Sequence, residues 1–338
     1  MNVTKYKATL CRSIFSATLI VLTIAVIAKY INASDLLSAK DRRISVSADN
    51  RFDTNSDIYG KHVAVATNAD VNNVKPVVMW YSRQWGWGRY EPLENITGSG
   101  FFSHVMLVGL HRNYVPNYID NPRFKKAVKI CRDNGVEVIW TRFLFPNHKI
   151  KGFTLETAFN PGYYIDQIQN IKREAAQAGI KLVAFDTEPC CKSPLVPYKS
   201  KPFSKEDYEK ISTAIKVAIG YAGPVDYVLP SAAAEENHLY NAAAQIGKYI
   251  IAEYTYYDLP VVHRNNPDKN RPYDIFGAYV GVTKENKHNP NLNLYTPKEI
   301  LERKELWSHK KGLFIYSGNA APEVSREFWK LKEDKPKN

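Results

Sequence analysis

Two acidic residues, Asp186 and Glu188, end a segment that is otherwise apolar from Leu182 to Phe185. Side chains alternate along a strand, so acids two positions apart share one face, with Cα atoms about 6.5–7 Å apart. Neighbouring carboxylates repel each other, so one tends to keep its proton and act as an acid while the other stays ionised. The spacing predicts general acid–base chemistry. The structural alternative is an ion pair with a nearby Arg or Lys.

A third acid, Glu253, lies inside an apolar and aromatic run from Tyr249 to Tyr257. Glu253 and Tyr257 share one face of the predicted strand, and Tyr254 and Tyr256 share the other. If the first face points toward the site, Glu253 and Tyr257 approach the acidic pair. We favour this parity and therefore add Glu253 to the catalytic candidates and Tyr257 to the substrate-binding ones.

Aromatic residues follow an earlier apolar run. Tyr81 and Arg83 end that run, and Trp85 and Trp87 come next, each beside a glycine. An exposed Trp can stack on a sugar ring, and Tyr adds a polar group to an apolar surface. These residues predict a carbohydrate platform, and a lid packed on the domain is the alternative.

Two further polar residues sit at or near predicted strand ends. His111 follows the second apolar run, and Arg142 lies in the third. Both are candidate substrate-binding residues. Arg142 is predicted either to bind a substrate carboxylate or to orient Asp186, and a purely structural pairing with the acids is its alternative role.

The elements that must position these residues are strands alternating with helices. Gly135 and Gly179 end two helical patterns, and Ser204 with Asp207 resembles a capped helix start. Eight strand-like runs are present: Val77–Ser82, His104–Leu110, Val136–Phe145, Lys181–Glu188, Asp226–Pro230, Tyr249–Tyr257, Ile275–Thr283 and Gly312–Ser317. Such alternation predicts a single-domain (β/α)8 barrel, a TIM barrel, over residues 76–332, with its site at the carboxyl ends of the strands. An open doubly wound sheet would carry a Gly-rich phosphate loop after its first strand, and none is seen.

The beginning of the chain predicts export. Lys5, Lys7 and Arg12 precede an uncharged apolar stretch over residues 13–28. Residues 1–33 are therefore predicted to be a signal peptide or a membrane anchor, and the polar residues 34–75 a linker. Either form places the barrel outside the cytoplasm, as a secreted, periplasmic or membrane-anchored domain.

Composition and net charge limit the classes of partner and cofactor that we expect this protein to bind. The net charge is +12, spread along the chain, and aromatic residues make up 12%. No nucleic-acid-binding motif is present, so an acidic polymer or an anionic surface is the better match for this charge. The histidines and cysteines show no metal-ligand spacing, and neither a metal nor an organic cofactor is expected. A disulfide from Cys131 to Cys190 or Cys191 stays open.

Phe185-Asp186-Thr187-Glu188 resembles the terminal D-x-E of chitinase-type and lysozyme-type barrel glycoside hydrolases. The resemblance implies that Glu188 is the general acid and that Asp186 positions a substrate acetamido group or assists the nucleophile. Tyr256-Tyr257-Asp258 is similar to the tyrosine-bearing sixth strand of the chitinase type. The chain departs from the longer chitinase pattern at Lys181 and Ala184, where acids are expected.

A second resemblance is carried by Thr187-Glu188-Pro189, which is similar to the Asn-Glu-Pro of retaining glycosidases. It implies the same acid, Glu188, and a nucleophile near Glu285. Both resemblances imply a glycosidase that cleaves an extracytoplasmic polysaccharide or glycan. The alternative function is a non-catalytic carbohydrate-binding or surface-assembly protein on the same scaffold.

Overall fold

The computed structural model describes residues 76–145, 154–187, 204–230, 244–252, 273–287, 290 and 293–334. Within these ranges the chain forms an eight-stranded, all-parallel sheet with the strand order β6-β5-β4-β3-β2-β1-β8-β7. The strands are β1 (Val77–Ser82), β2 (His104–Gly109), β3 (Glu137–Phe143), β4 (Leu182–Asp186), β5 (Val225–Leu229), β6 (Gly247–Ile250), β7 (Ile275–Tyr279) and β8 (Gly312–Tyr316).

The two edges of this sheet meet. A parallel bridge joins Ile251, just after β6, to Ile275 at the start of β7. The Ala252 N–H donates to the Ile275 carbonyl over 2.9 Å, and the Asp274 N–H donates to the Ile250 carbonyl over 2.8 Å. The sheet is therefore a nearly closed barrel, and the predicted (β/α)8 fold is confirmed.

Helices pack outside the strands. They are α1 (Glu91–Ser99), α2 (Pro122–Asp133), α3 (Leu155–Ala158), α4 (Pro161–Gln177), α5 (Lys205–Ala222), α6 (Pro297–Glu302) and α7 (Ala321–Glu333). Ser204 and Asp207 form the predicted capping box at the start of α5. Gly135 and Gly179, which follow α2 and α4, have φ of 68° and 65°, a conformation that glycine adopts without steric cost. Local sequence thus sets where these helices end.

Alternation along the strands divides the core into two layers. On β4, Val183 and Phe185 pack outward against the helices, while Ala184 faces the barrel interior. The interior layer is made of aliphatic and aromatic side chains: Met79, Tyr81, Met106, Val108, Ile139, Phe143, Ala184, Tyr227, Ile251, Ile275 and Phe314. The interior is thus a packed core, as expected for eight strands.

The predicted signal or anchor, residues 1–33, and the predicted linker, residues 34–75, lie outside the described residues. Among the helices that are described, none is long and apolar enough to cross a membrane. Cys131 is a free thiol on the buried face of α2, and burial raises its pKa to about 12. The disulfide considered for Cys131 is therefore not formed, while Cys190 and Cys191 lie outside the described ranges.

A buried ion pair ties β3 to α4. Arg142 Nη2 and Nε donate to the two carboxylate oxygens of Glu174 over 2.6 and 2.9 Å, and Trp140 Nε1 donates to the same carboxylate over 2.9 Å. The side chains of Arg142 and Glu174 are 3% and 9% exposed. Burial lowers the pKa of Arg142, and the charge of Glu174 and its hydrogen bond act in the opposite direction.

We expect Glu174→Ala to lower the free energy of unfolding by about 3–5 kcal/mol, because it leaves a buried guanidinium without its counter-charge. Urea unfolding followed by Trp fluorescence measures the change. The control is Asp133→Ala, which removes the exposed pair with Lys129 on α2 and should cost less than about 0.5 kcal/mol. Equal losses in the two variants would contradict the structural role of Glu174.

Candidate active site

Asp186 ends β4 with its carboxylate inside the barrel. The residue is 1% exposed, and its Oδ2 accepts a hydrogen bond of 2.7 Å from the Tyr81 hydroxyl. Tyr81 belongs to β1, which is separated from β4 by β2 and β3 in the sheet. The hydrogen bond therefore crosses the interior and places a polar pair at the carboxyl ends of the strands, where barrel active sites lie.

Arg83 extends above this pair. It follows β1 two residues after Tyr81, and its guanidinium carbon lies 5.3 Å from the ring centre of Phe143. Phe143 is the register partner of Asp186 on the neighbouring strand. Tyr81 and Arg83 thus both reach from β1 toward the β3–β4 side. From the sequence, Arg83 is predicted only to lie at a strand end, and the two-residue spacing from Tyr81 is the signal that places it on the same face.

A small recess of about 50 Å³ opens between the ends of β1 and β8. Its floor includes Tyr81, which joins it to the Asp186 carboxylate. The Gln84 side-chain amide donates to the Gly318 carbonyl over 2.9 Å, which links the two loops that form the walls. The residues lining the recess are Tyr81, Arg83, Gln84, Trp87, Tyr316, Gly318 and Asn319.

The two tryptophans after β1 differ in position. Trp87 is 62% exposed at the recess, whereas Trp85 is 1% exposed and packs against Trp140 with ring centres 6.2 Å apart. A short 3-10 helix over Gln84–Trp87 turns the two indoles in different directions. The expected platform is therefore limited to Trp87, and the expectation for Trp85 is corrected: its ring is occupied by the core and offers no face to a ligand.

His111 is fully buried behind β2. Its Nδ1 accepts from the Asn113 N–H over 3.2 Å, and its Nε2 lies 2.9 Å from the Tyr163 hydroxyl. Burial, followed by the positive charge of Arg142, lowers the pKa of His111 to about 4. The imidazole is neutral near pH 7 and connects the end of β2 to α4. His111 therefore has a structural role, and its side chain is not exposed to a substrate.

Arg142 does not point into the barrel. Its guanidinium lies on the outer side of β3 with Glu174, and Nη1 donates to the Val115 carbonyl over 2.8 Å. The expectation that Arg142 orients Asp186 or pairs with it is corrected, because strand alternation sends residues 139 and 143 inward and residue 142 outward. Its charge is satisfied by Glu174.

Three candidates lie outside the described residues: Glu188, Glu253 and Tyr257. Glu285 is described; it is exposed, six residues beyond the end of β7, in a bridge with Asn293. This position is on a surface loop and not at a strand end inside the barrel. Over the described ranges, no group of three or more His, Cys, Asp or Glu side chains could hold a metal ion.

No protein-family model matches the chain, and no curated protein matches it. The chain is similar to a chitinase from Chromobacterium violaceum, with 10% identity and a TM-score of 0.47 over 77% of this chain and 100% of that one. It is also similar to the spore cortex-lytic enzyme SleL of Bacillus cereus, with 10% identity and a TM-score of 0.46 over 76% and 74%. A sugar phosphate isomerase/epimerase from Parabacteroides distasonis is comparably similar, with 9% identity and a TM-score of 0.45 over 78% and 99%. Similarity this low concerns the fold alone and assigns no reaction.

The depressed pKa of His111 predicts a pH dependence of stability. The folded state binds this proton less tightly than the unfolded chain, so stability is full above about pH 6.5 and falls as the pH drops toward 4. We expect His111 to account for about 2–3 kcal/mol of the loss between pH 7.5 and 4.5. Urea unfolding at both pH values measures it.

In His111→Gln this part of the pH dependence should disappear, because the amide stays neutral over the range. His309→Gln, which removes an exposed imidazole, is the control and should keep the wild-type drop. The same drop in all three proteins would rule out His111 as its source.

Proposed function

We propose that this protein is a glycoside hydrolase that cleaves an extracytoplasmic polysaccharide or glycan by carboxylate acid–base catalysis. The observation that carries the proposal is the buried carboxylate of Asp186 at the carboxyl end of β4, held by the Tyr81 hydroxyl at 2.7 Å. An interior carboxylate costs free energy in a packed barrel core. Because the carboxylate lies beside a recess with an exposed indole, we attribute its burial to a functional role.

Glu188 is proposed as the general acid. It follows Asp186 by two residues in the sequence, and a continued strand would give it the same inward parity. In the proposed reaction Glu188 donates its proton to the leaving glycosidic oxygen as the bond to the sugar breaks. Water then adds to the sugar and returns a proton to Glu188.

Asp186 is proposed to stabilise the positive charge that develops on the sugar, either directly or through an acetamido group of the substrate. Its burial strengthens that interaction, because few waters screen it. Glu253 and Tyr257 remain proposed participants. Tyr249 and Ile251 face the interior, and Glu253 has the same parity along the sequence.

We expect Glu188→Gln to lower kcat by about 10²–10⁴-fold, since the amide cannot donate the proton. Asp186→Asn should also lower kcat, because the compensating negative charge is lost. Release of reducing ends from chitin, peptidoglycan and acidic glycans by the full chain measures both. Glu302→Gln, at an exposed position on α6, is the matched control and should keep wild-type activity.

Activity that survives in Glu188→Gln would overturn the acid assignment and direct attention to Glu253. Glycan binding without turnover, in wild type and variants alike, would favour the alternative function of a non-catalytic carbohydrate-binding or surface-assembly protein.

Export of the barrel is also proposed, from the basic and apolar residues 1–33. In intact cells that express the full chain, we expect the barrel to be digested by added protease once any outer barrier is opened. Mass spectrometry of the isolated chain separates cleavage near Ala33 from a retained anchor. Full protection in cells with an intact cytoplasmic membrane would contradict export.

A further inference from the structure

We propose that the amino end of the barrel binds an anionic lipid surface through a patch of lysines and apolar side chains around the end of α5. This lysine–tyrosine patch consists of Lys172, Lys181, Lys216, Val217 and Tyr221. The partner is a bilayer with negatively charged headgroups. The proposal is independent of the reaction, because the patch lies at the opposite end of the barrel from the candidate active site.

Exposed apolar side chains are the first support. Val217 and Tyr221 lie one turn apart on α5 and are 40% and 62% exposed. Because α5 leads into β5, both lie toward the amino ends of the strands. The other large apolar side chains that are exposed in the described part of the chain follow strand ends on the opposite side: Trp87, Leu110 and Val282. An exposed Tyr, with an apolar ring and a polar hydroxyl, suits the boundary between headgroups and acyl chains.

Three lysines around this apolar pair are the second support. Lys216 on α5 and Lys181 at the start of β4 are both exposed. Lys172 reaches across from α4, and its Nζ donates to the Ala222 carbonyl over 2.7 Å and to the Gly223 carbonyl over 3.2 Å. These bonds hold the ammonium group of Lys172 at the carboxyl end of α5. The lysines therefore surround the end of the helix that carries the apolar pair.

The acids of this part of the barrel are already neutralised. In the second halves of α4 and α5 and the first residues of β4 and β5, the acids are Glu174 and Asp226. Glu174 binds Arg142, and Asp226 accepts from Lys248 Nζ over 2.9 Å. Among the described residues, no carboxylate pairs with a lysine of the patch. Such a surface attracts anionic headgroups, by about fivefold in affinity for each lysine within a Debye length.

The apolar pair favours a bilayer over a soluble acidic polymer. Such a polymer can bind the lysines but offers no apolar layer in which Val217 and Tyr221 become buried. A bilayer offers both the anionic headgroups and the apolar boundary beneath them. Binding at this end also leaves the carboxyl ends of the strands, with Asp186 and the exposed Trp87, facing away from the lipid.

Lysine footprinting of the full chain on lipid vesicles tests the proposal. The chain is incubated with vesicles of phosphatidylcholine, alone or mixed with phosphatidylglycerol, and an amine-acylating reagent labels the exposed lysines for mass spectrometry. On the mixed vesicles we expect Lys181 and Lys216 to be acylated about 10-fold more slowly than on phosphatidylcholine. Lys129 on α2 and Lys298 on α6, whose side chains are 72% and 70% exposed, should keep their rates. Membrane insertion of residues 1–33 alone would not produce this difference.

Single substitutions separate the two parts of the patch. Lys181→Gln, measured by the protection of Lys216, should weaken protection by about fivefold, because one charge is lost from the contact. Tyr221→Ser should weaken the protection of both lysines severalfold with an unchanged thermal unfolding midpoint, since the side chain is exposed. Lys129→Gln removes the same charge from α2 and serves as the control, in which protection should stay at the wild-type level.

The proposal is overturned if Lys181 and Lys216 are acylated at the same rate on both kinds of vesicle, or if Lys129 and Lys298 are protected equally. It is also overturned if Lys129→Gln weakens protection as much as Lys181→Gln does. Protection by soluble polyglutamate that equals protection by mixed vesicles, and that Tyr221→Ser leaves unchanged, would refute the bilayer and identify an acidic polymer as the partner.

Discussion

Each strand of the nearly closed barrel sends only every second side chain into the interior, and this alternation decides where Tyr81, Asp186 and Arg142 lie. On β1 it brings Tyr81 inward, and on β4 it brings Asp186 inward, so the two meet over 2.7 Å although they are 105 residues apart. On β3 it sends Arg142 outward to Glu174. A shift of one residue in any of these strands would exchange the inner and outer sets.

The same alternation separates two charged sites, one outside the strands and one inside them, and the two differ in how their charges are satisfied. Outside the strands, Arg142 and Glu174 neutralise each other and are further satisfied by Trp140 and by main-chain carbonyls. Such a site is closed, since its donors and acceptors are used within the protein. Inside the strands, Asp186 is held by a hydroxyl, and the positive group of Arg83 stands above it on an aromatic ring. A buried carboxylate held in this way can stabilise positive charge that is brought close to it.

Much of this was predictable from sequence, and the reasons for the failures are physical. Eight runs of apolar residues predicted the barrel, and the spacing of Ala184 and Asp186 predicted the inward face of β4. Both predictions succeed because the alternation of side chains along a strand is a local property. The partner of Arg142 was not predictable, since Glu174 comes from a helix 32 residues later. Trp85 and Trp87 have the same local signal, and only the turn between them buries one and exposes the other.

Tyr81 joins the buried acid to the surface of the protein. It lines the recess with Arg83 and Trp87 and also donates its hydroxyl proton to Asp186. Tyr81 and Asp186 thus connect the recess to the barrel interior through two strands that are not neighbours in the sheet. This arrangement requires that Tyr81 and Asp186, at the carboxyl ends of β1 and β4, both point into the barrel. The alternation of side chains along each strand decides whether they do.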